Sequence, residues 1–190
     1  MNVKRVLALM AVGVLLGMIG PAAPASAEPI DKGHFHDVLT DFFDCDGTPT
    51  RLDGDVSGNF QFIDRGPALF PYFGESTHGT LVFTNLDNGG TFTEIFNVRD
   101  KDLKITDNGD GTITILVLAT GSDRYYDTNG KLVLNDPGQI RFEVLIDTNG
   151  TPGDPSDDEE IAFLGLVKGS TGRNDTQGRD FCADLVMFTS

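Results

Sequence analysis

The sequence predicts an all-β fold, an antiparallel meander of about ten strands. Helical periodicity is hard to find after Ala27, and short runs rich in β-branched and aromatic residues take its place. Asn-Gly, Asp-Gly and Pro-Gly pairs divide those runs. Either a barrel or a sandwich would protect the strand edges, and a barrel is favoured because it sets side by side the first and last strands, which Cys45 and Cys182 would staple.

In chain order the first element is not part of that fold. Lys4 and Arg5 precede an apolar run from Val6 to Ile19, and Ala25-Ser26-Ala27 follows it. Two cations, a short hydrophobic stretch and a small-x-small site spell a secretory leader, cut near Ala27. The run is interrupted by Gly13 and Gly17 and falls short of the roughly 20 apolar residues of a membrane span, so no anchor is expected after processing. The expected product is a secreted, extracellular single β-domain over 28–190.

The clearest strand is 139–147, where Ile140, Phe142, Val144 and Ile146 share one face and Gln139, Arg141 and Glu143 the other. Arg141 and Glu143 are therefore either exposed or inside a polar lumen. Residues 112–120 begin with alternation and become apolar on both faces, as a central strand does. Further strands are expected at 34–44, 50–56, 59–64, 79–85, 91–98, 102–106, 159–168 and 180–188, with weaker pieces at 123–126 and 131–134. Asp107–Gly111 reads as a tight hairpin, Asn129-Gly130 has type I′ composition, and Asn135-Asp-Pro-Gly138 reads as a turn with Pro fixing φ. Residues 169–179 read as a flexible loop.

Charge narrows the partners. The chain has 29 Asp and Glu against 14 Lys and Arg, a net charge of −15. Two of the 14 cations lie in the leader and all of the acids beyond it, so processing would take the charge to −17. Such a surface repels nucleic acid and anionic lipid and favours cations. No nucleic-acid partner is expected. The only cysteines, Cys45 and Cys182, lie near opposite ends of the domain, and in an oxidising compartment they read as one disulfide.

Two clusters have metal-ligand character. The loop 147–160 offers Asp147, Asn149, Asp154, Asp157, Asp158 and Glu159, oxygen ligands of the kind calcium takes, although Pro152 stands where an EF-hand needs Gly. Without calcium the same residues make a solvated connection between strands. His34 and His36, one residue apart on a strand near Asp37 and Asp41, share a face and could ligate a transition metal, with Asp41 as the carboxylate and His78 arriving from elsewhere. Exposed histidines with no metal are the plainer reading. Ser76 and His78 lack the Gly pattern of a hydrolase elbow, so no catalytic residue is assigned. The 14 Phe read chiefly as core, or else as the lining of a cavity for a small apolar ligand.

The segments Asp107–Gly121, Arg141–Asp147 and Arg179–Leu185 resemble a group of small secreted actinobacterial β-proteins of unassigned function. The resemblance implies a bacterial exported protein and carries over no site residues. The sequence thus points to a secreted, non-enzymatic binding or surface-interaction module, taking either a small apolar ligand or a protein surface. One alternative is a barrel-type enzyme, cyclase- or cupin-like, with a polar lumen or metal. The other is a calcium-stabilised extracellular domain.

Overall fold

The computed structural model describes residues 29–65 and 70–190, so the expected leader and cleavage point at 1–27 lie outside the described residues. Seven antiparallel strands pair in chain order in one sheet. They are β1 (Pro29–Cys45), β2 (Thr48–Ile63), β3 (Tyr72–Asn85), β4 (Thr91–Asp107), β5 (Thr112–Tyr126), β6 (Leu132–Asp147) and β7 (Glu159–Lys168). A short helix, α1 (Phe181–Phe188), ends the fold. The all-β meander is therefore present, with a different strand count and without closure. β1 and β7 do not pair, and the sheet is open.

The strands are fewer because expected breaks lie inside them. Ser57-Gly58 sits within β2, Arg99–Lys101 within β4 and Gly121-Ser122 within β5. A glycine interior to a strand lacks side-chain area of its own, and a cross-strand aromatic ring can supply it. Phe35 stands opposite Gly58, Phe60 opposite Gly33, and Phe96 opposite Gly79. A ring carbon of Phe35 lies 2.5 Å from where a Cβ on Gly58 would be. The ring occupies that place.

Asn135–Gly138 is not a turn either, since Pro137 pairs with Ser122 in mid-strand. β7 reaches only as far as Arg141, so this part of β6 has no strand beyond it. The backbone groups of Asn135 and Gln139 on that side meet the loop after β7 instead: Asn135 N donates to Asp175 Oδ2 (2.9 Å) and Thr171 N to Gln139 O (3.2 Å). Pro137, between them, has no N–H to leave unpaired. That is where a sheet tolerates proline.

Two turns illustrate local chemistry. Asp46 and Gly47 are both left-handed (φ 54° and 91°), joining β1 to β2 by a two-residue hairpin. Asn129-Gly130, by contrast, has only Gly130 left-handed, so it departs from the expected type I′ form. Asn149-Gly150, the same dipeptide 20 residues on, has both residues left-handed. Asp107–Gly111 is the expected hairpin, with Asn108 N donating to Thr112 O (3.1 Å).

Residues 180–188 form a helix instead of the last strand. Phe181, Leu185 and Phe188 recur at helical spacing, and the Asp180 side chain caps the helix by accepting from Ala183 N (2.9 Å). The core lies where α1 covers one end of one sheet face. Leu52, Phe83 and Phe92 share a row across β2, β3 and β4. The Phe181 ring sits 4.8 Å from Phe83, and Phe188 stacks on Phe92 at 5.6 Å. The expected Cys45–Cys182 disulfide is formed, with Cα atoms 5.1 Å apart, and it fastens α1 to the β1–β2 turn. Asn85 Nδ2 donates to Thr189 Oγ1 (3.1 Å), and Arg179 pairs with buried Asp184. The disulfide and the Asn85–Thr189 bond tie the helix to the sheet, and the Arg179–Asp184 pair braces it against the residues just before it.

Candidate functional site

Strand alternation gives the sheet two faces with different chemistry. The face bearing the core also carries acids. On β4 the series Phe92, Glu94, Phe96, Val98, Asp100 and Asp102 shares one side. Register then brings Glu94 beside Tyr125, Asp100 opposite Glu75, and Asp123 between Phe96 and Asp136. Few cations compensate them. Burial, reinforced by Asp123, pushes Glu94 up to about 7, although Tyr125 donates to its Oε1 at 3.1 Å. Burial and then Asp136 push Asp123 up to about 6, and burial likewise raises Asp100 and Asp102 to about 6. Asp102 Oδ2 accepts from Phe73 N (2.8 Å), whereas Asp100 Oδ1 is buried without a partner.

Beside these acids is a recess of about 210 Å³. Ala119, Gly121 and Gly138 leave its floor almost bare, and Asp123 and Asp136 stand at it. Ser170, Asn174 and Thr176 of the loop after β7 complete the lining. Asp136 is engaged in holding that loop, accepting from Asp175 N and from the backbone and hydroxyl of Thr176. A carboxylate so engaged is an anchor, and Glu94 does not line the recess. Asp123, which burial raises to about 6, is the titrating carboxyl that reaches the recess.

The opposite face is more polar. A recess of about 530 Å³ there is lined by Asp55, Ser57, His78, Thr80, Ile95 and Asn97, with Gly79 and Phe96 from the strand backbones beneath. His34 and His36 are exposed on this face, and His36 Nε2 lies 2.9 Å from Asp55 Oδ1. Asp37 and Asp41 are on the other side of β1, opposite Val56 and Leu52, so the carboxylate expected for a metal site is turned away. His78 is separated from His36 by Ser57, about 10 Å across two strand spacings. Ser76 faces Asn59 and Arg99, with no triad around it. Arg141 and Glu143 are half-buried on the non-core side of β6, so they line no lumen.

The 147–160 loop is ordered by its own side chains. Asp147 Oδ1 accepts from Asn149 N (2.9 Å), Asn149 Nδ2 donates to Asp157 O (2.5 Å), and Thr151 Oγ1 donates to the Asp157 carboxylate (2.7 Å). Partial desolvation, then Asp157, Asp154 and Asp147, push Asp158 up to about 6. Glu159 begins β7, and among the described residues no three carboxylates of this loop come close enough to share an ion. Among the described residues, Asp46, Asp180 and Cys182 are the one trio of side chains close enough to share an ion, and Cys182 is already bonded to Cys45.

Comparison with known proteins finds no match. No family model, no curated protein and no solved structure resembles the chain closely enough to count.

One surface was not singled out from the sequence. β7 is a strand with a neighbour on one side only, and its residues 161–167 (Ile-Ala-Phe-Leu-Gly-Leu-Val) contain no charge. Ile161, Phe163, Leu164, Leu166 and Val167 are 44–61% exposed. Pairing with β6 skips Ile161, Leu164 and Val167, so each bulges from the ladder. The uncharged run was readable from sequence. Its lack of cover was not, because a closed barrel would have given β7 a second neighbour.

Proposed function

We propose that this chain is an exported, non-enzymatic β-domain that works as a surface-interaction module, presenting β7 to its partner. The observation that carries this reading is the exposed apolar edge. Edge strands are normally blunted by charge, and the free edge of β1 carries Asp31, Lys32, Asp37, Asp41 and Asp44. The central seven residues of β7 carry nothing of the kind. A contiguous apolar patch on an otherwise strongly acidic protein is what a docking surface requires.

The interior favours a partner surface over a small apolar ligand. Phe35, Phe43, Phe83, Phe92, Phe96, Phe181 and Phe188 pack into the core cluster instead of lining either recess as an aromatic cage, Phe96 alone reaching the larger one. The leader-like sequence and the disulfide support export.

A photo-crosslinking residue placed at Leu164, with a control at exposed Asn59, tests the reading in the producing cell. Adducts should form at 164 in clear excess over 59. Equal labelling at both positions, or none at 164, would remove β7 as the interaction surface.

A further inference from the structure

We infer that the partner of β7 is the β7 of a second copy of this chain, the two strands lying antiparallel about a two-fold axis. This rests on the reading of β7 as the interaction surface. The ends of the strand carry the argument. Glu159 and Glu160 open it, Lys168 closes it, and the residues between 161 and 167 are uncharged. Antiparallel apposition brings the two acids of each copy to the lysine of the other, twice over by symmetry. With the axis at Leu164, near the centre of the ten residues, Leu164 meets its own counterpart and Ile161 of each copy faces Val167 of the other. Parallel apposition would set Glu against Glu.

The other free edge fits less well. β1 bears Asp31, Asp37, Asp41 and Asp44 with the single lysine Lys32, so β1 against β7 sets far more acid than base along the contact. Such a head-to-tail contact would also propagate into a filament instead of closing. The chain as a whole repels its own copies at a net charge of −15. The β7 pairing is arranged so that the local charges attract where the global ones do not. The bulges at Ile161, Leu164 and Val167 interrupt a continuous ladder, so contact is carried by apolar side chains and the end charges.

Sedimentation equilibrium of the purified protein reads this directly. Dimer mass should accumulate at about 100 µM, a weak contact of limited area. Leu164→Lys should remain a monomer with an unchanged far-ultraviolet circular dichroism spectrum. Lys168→Glu should weaken the dimer about tenfold, each change counting twice across the axis. Adding Glu159→Lys and Glu160→Lys to it should recover most of that loss. A monomer at every concentration, a dimer insensitive to Leu164→Lys, or failure of the charge reversal to rescue would each overturn the proposal. A monomer that still crosslinks to a different protein at 164 would overturn self-pairing while leaving the interaction surface in place.

Discussion

Glu94, Asp100, Asp102 and Asp123 hold their protons more tightly in the folded chain than carboxyls do in water, because burial penalises their charge. Between about pH 4 and pH 7 the native state therefore binds more protons than the unfolded one, and stability falls as pH rises through that window. The melting temperature should be higher at pH 5 than at pH 8, by roughly 5 °C for a net effect of about 2 kcal/mol. Glu94→Gln should raise stability at pH 8 and flatten the profile. A melting temperature equal or higher at pH 8 would contradict this account. These acids were legible in part. Glu94 has the same parity as Phe92, Phe96 and Val98, so alternation alone puts it on the core face. Among 29 acids no such position stood out, since the pattern names a face and not its depth. The same parity rule, applied to β1, separates His34 and His36 from Asp37 and Asp41 without any structure.

At the scale of elements, glycine and aspartate have the composition of punctuation where they are strand interior, and the information that corrects this lies on the neighbouring strand. Phe35 stands over Gly58 only because register places it there. The loop after β7 is a comparable case. It reads as flexible, yet Gly172 lies so close to Pro137 O that a side chain would strike the backbone. Gly172→Ala should undock residues 170–176, raising hydrogen exchange at Asp175 and Thr176 by at least about tenfold while leaving β2–β4 protected. Uniform loss of protection would mean that the loop is part of the global fold. Calcium binding by the 147–160 loop has a simple test. Chelator should lower the melting temperature by about 2 °C or more relative to millimolar calcium, as ligand linkage requires. No difference would dispose of it.

For the molecule as a whole, the class, the antiparallel order and the disulfide were legible, because alternation, turn composition and two cysteines suffice for them. Closure was not. It depended on 180–188 being a strand, and helical spacing of Phe181, Leu185 and Phe188 with a capping Asp180 decided otherwise. The disulfide spans 137 residues, for which chain-entropy reasoning gives about 5 kcal/mol as an upper figure. Cys45→Ser with Cys182→Ser should therefore destabilise the protein by about 2–5 kcal/mol in denaturant unfolding, and the unreduced wild type should show no free thiol. Two titratable thiols would refute the bond. The position of α1 also sets an order of assembly. Every strand pairs with the one made just before it, so the sheet can form hairpin by hairpin as the chain emerges from its N-terminus. The helix that covers Phe83 and Phe92 is made after all seven strands. Until it arrives and Cys182 finds Cys45, the nascent sheet holds its richest aromatic surface open, and that interval is when a chaperone or an oxidising catalyst would have most to act upon.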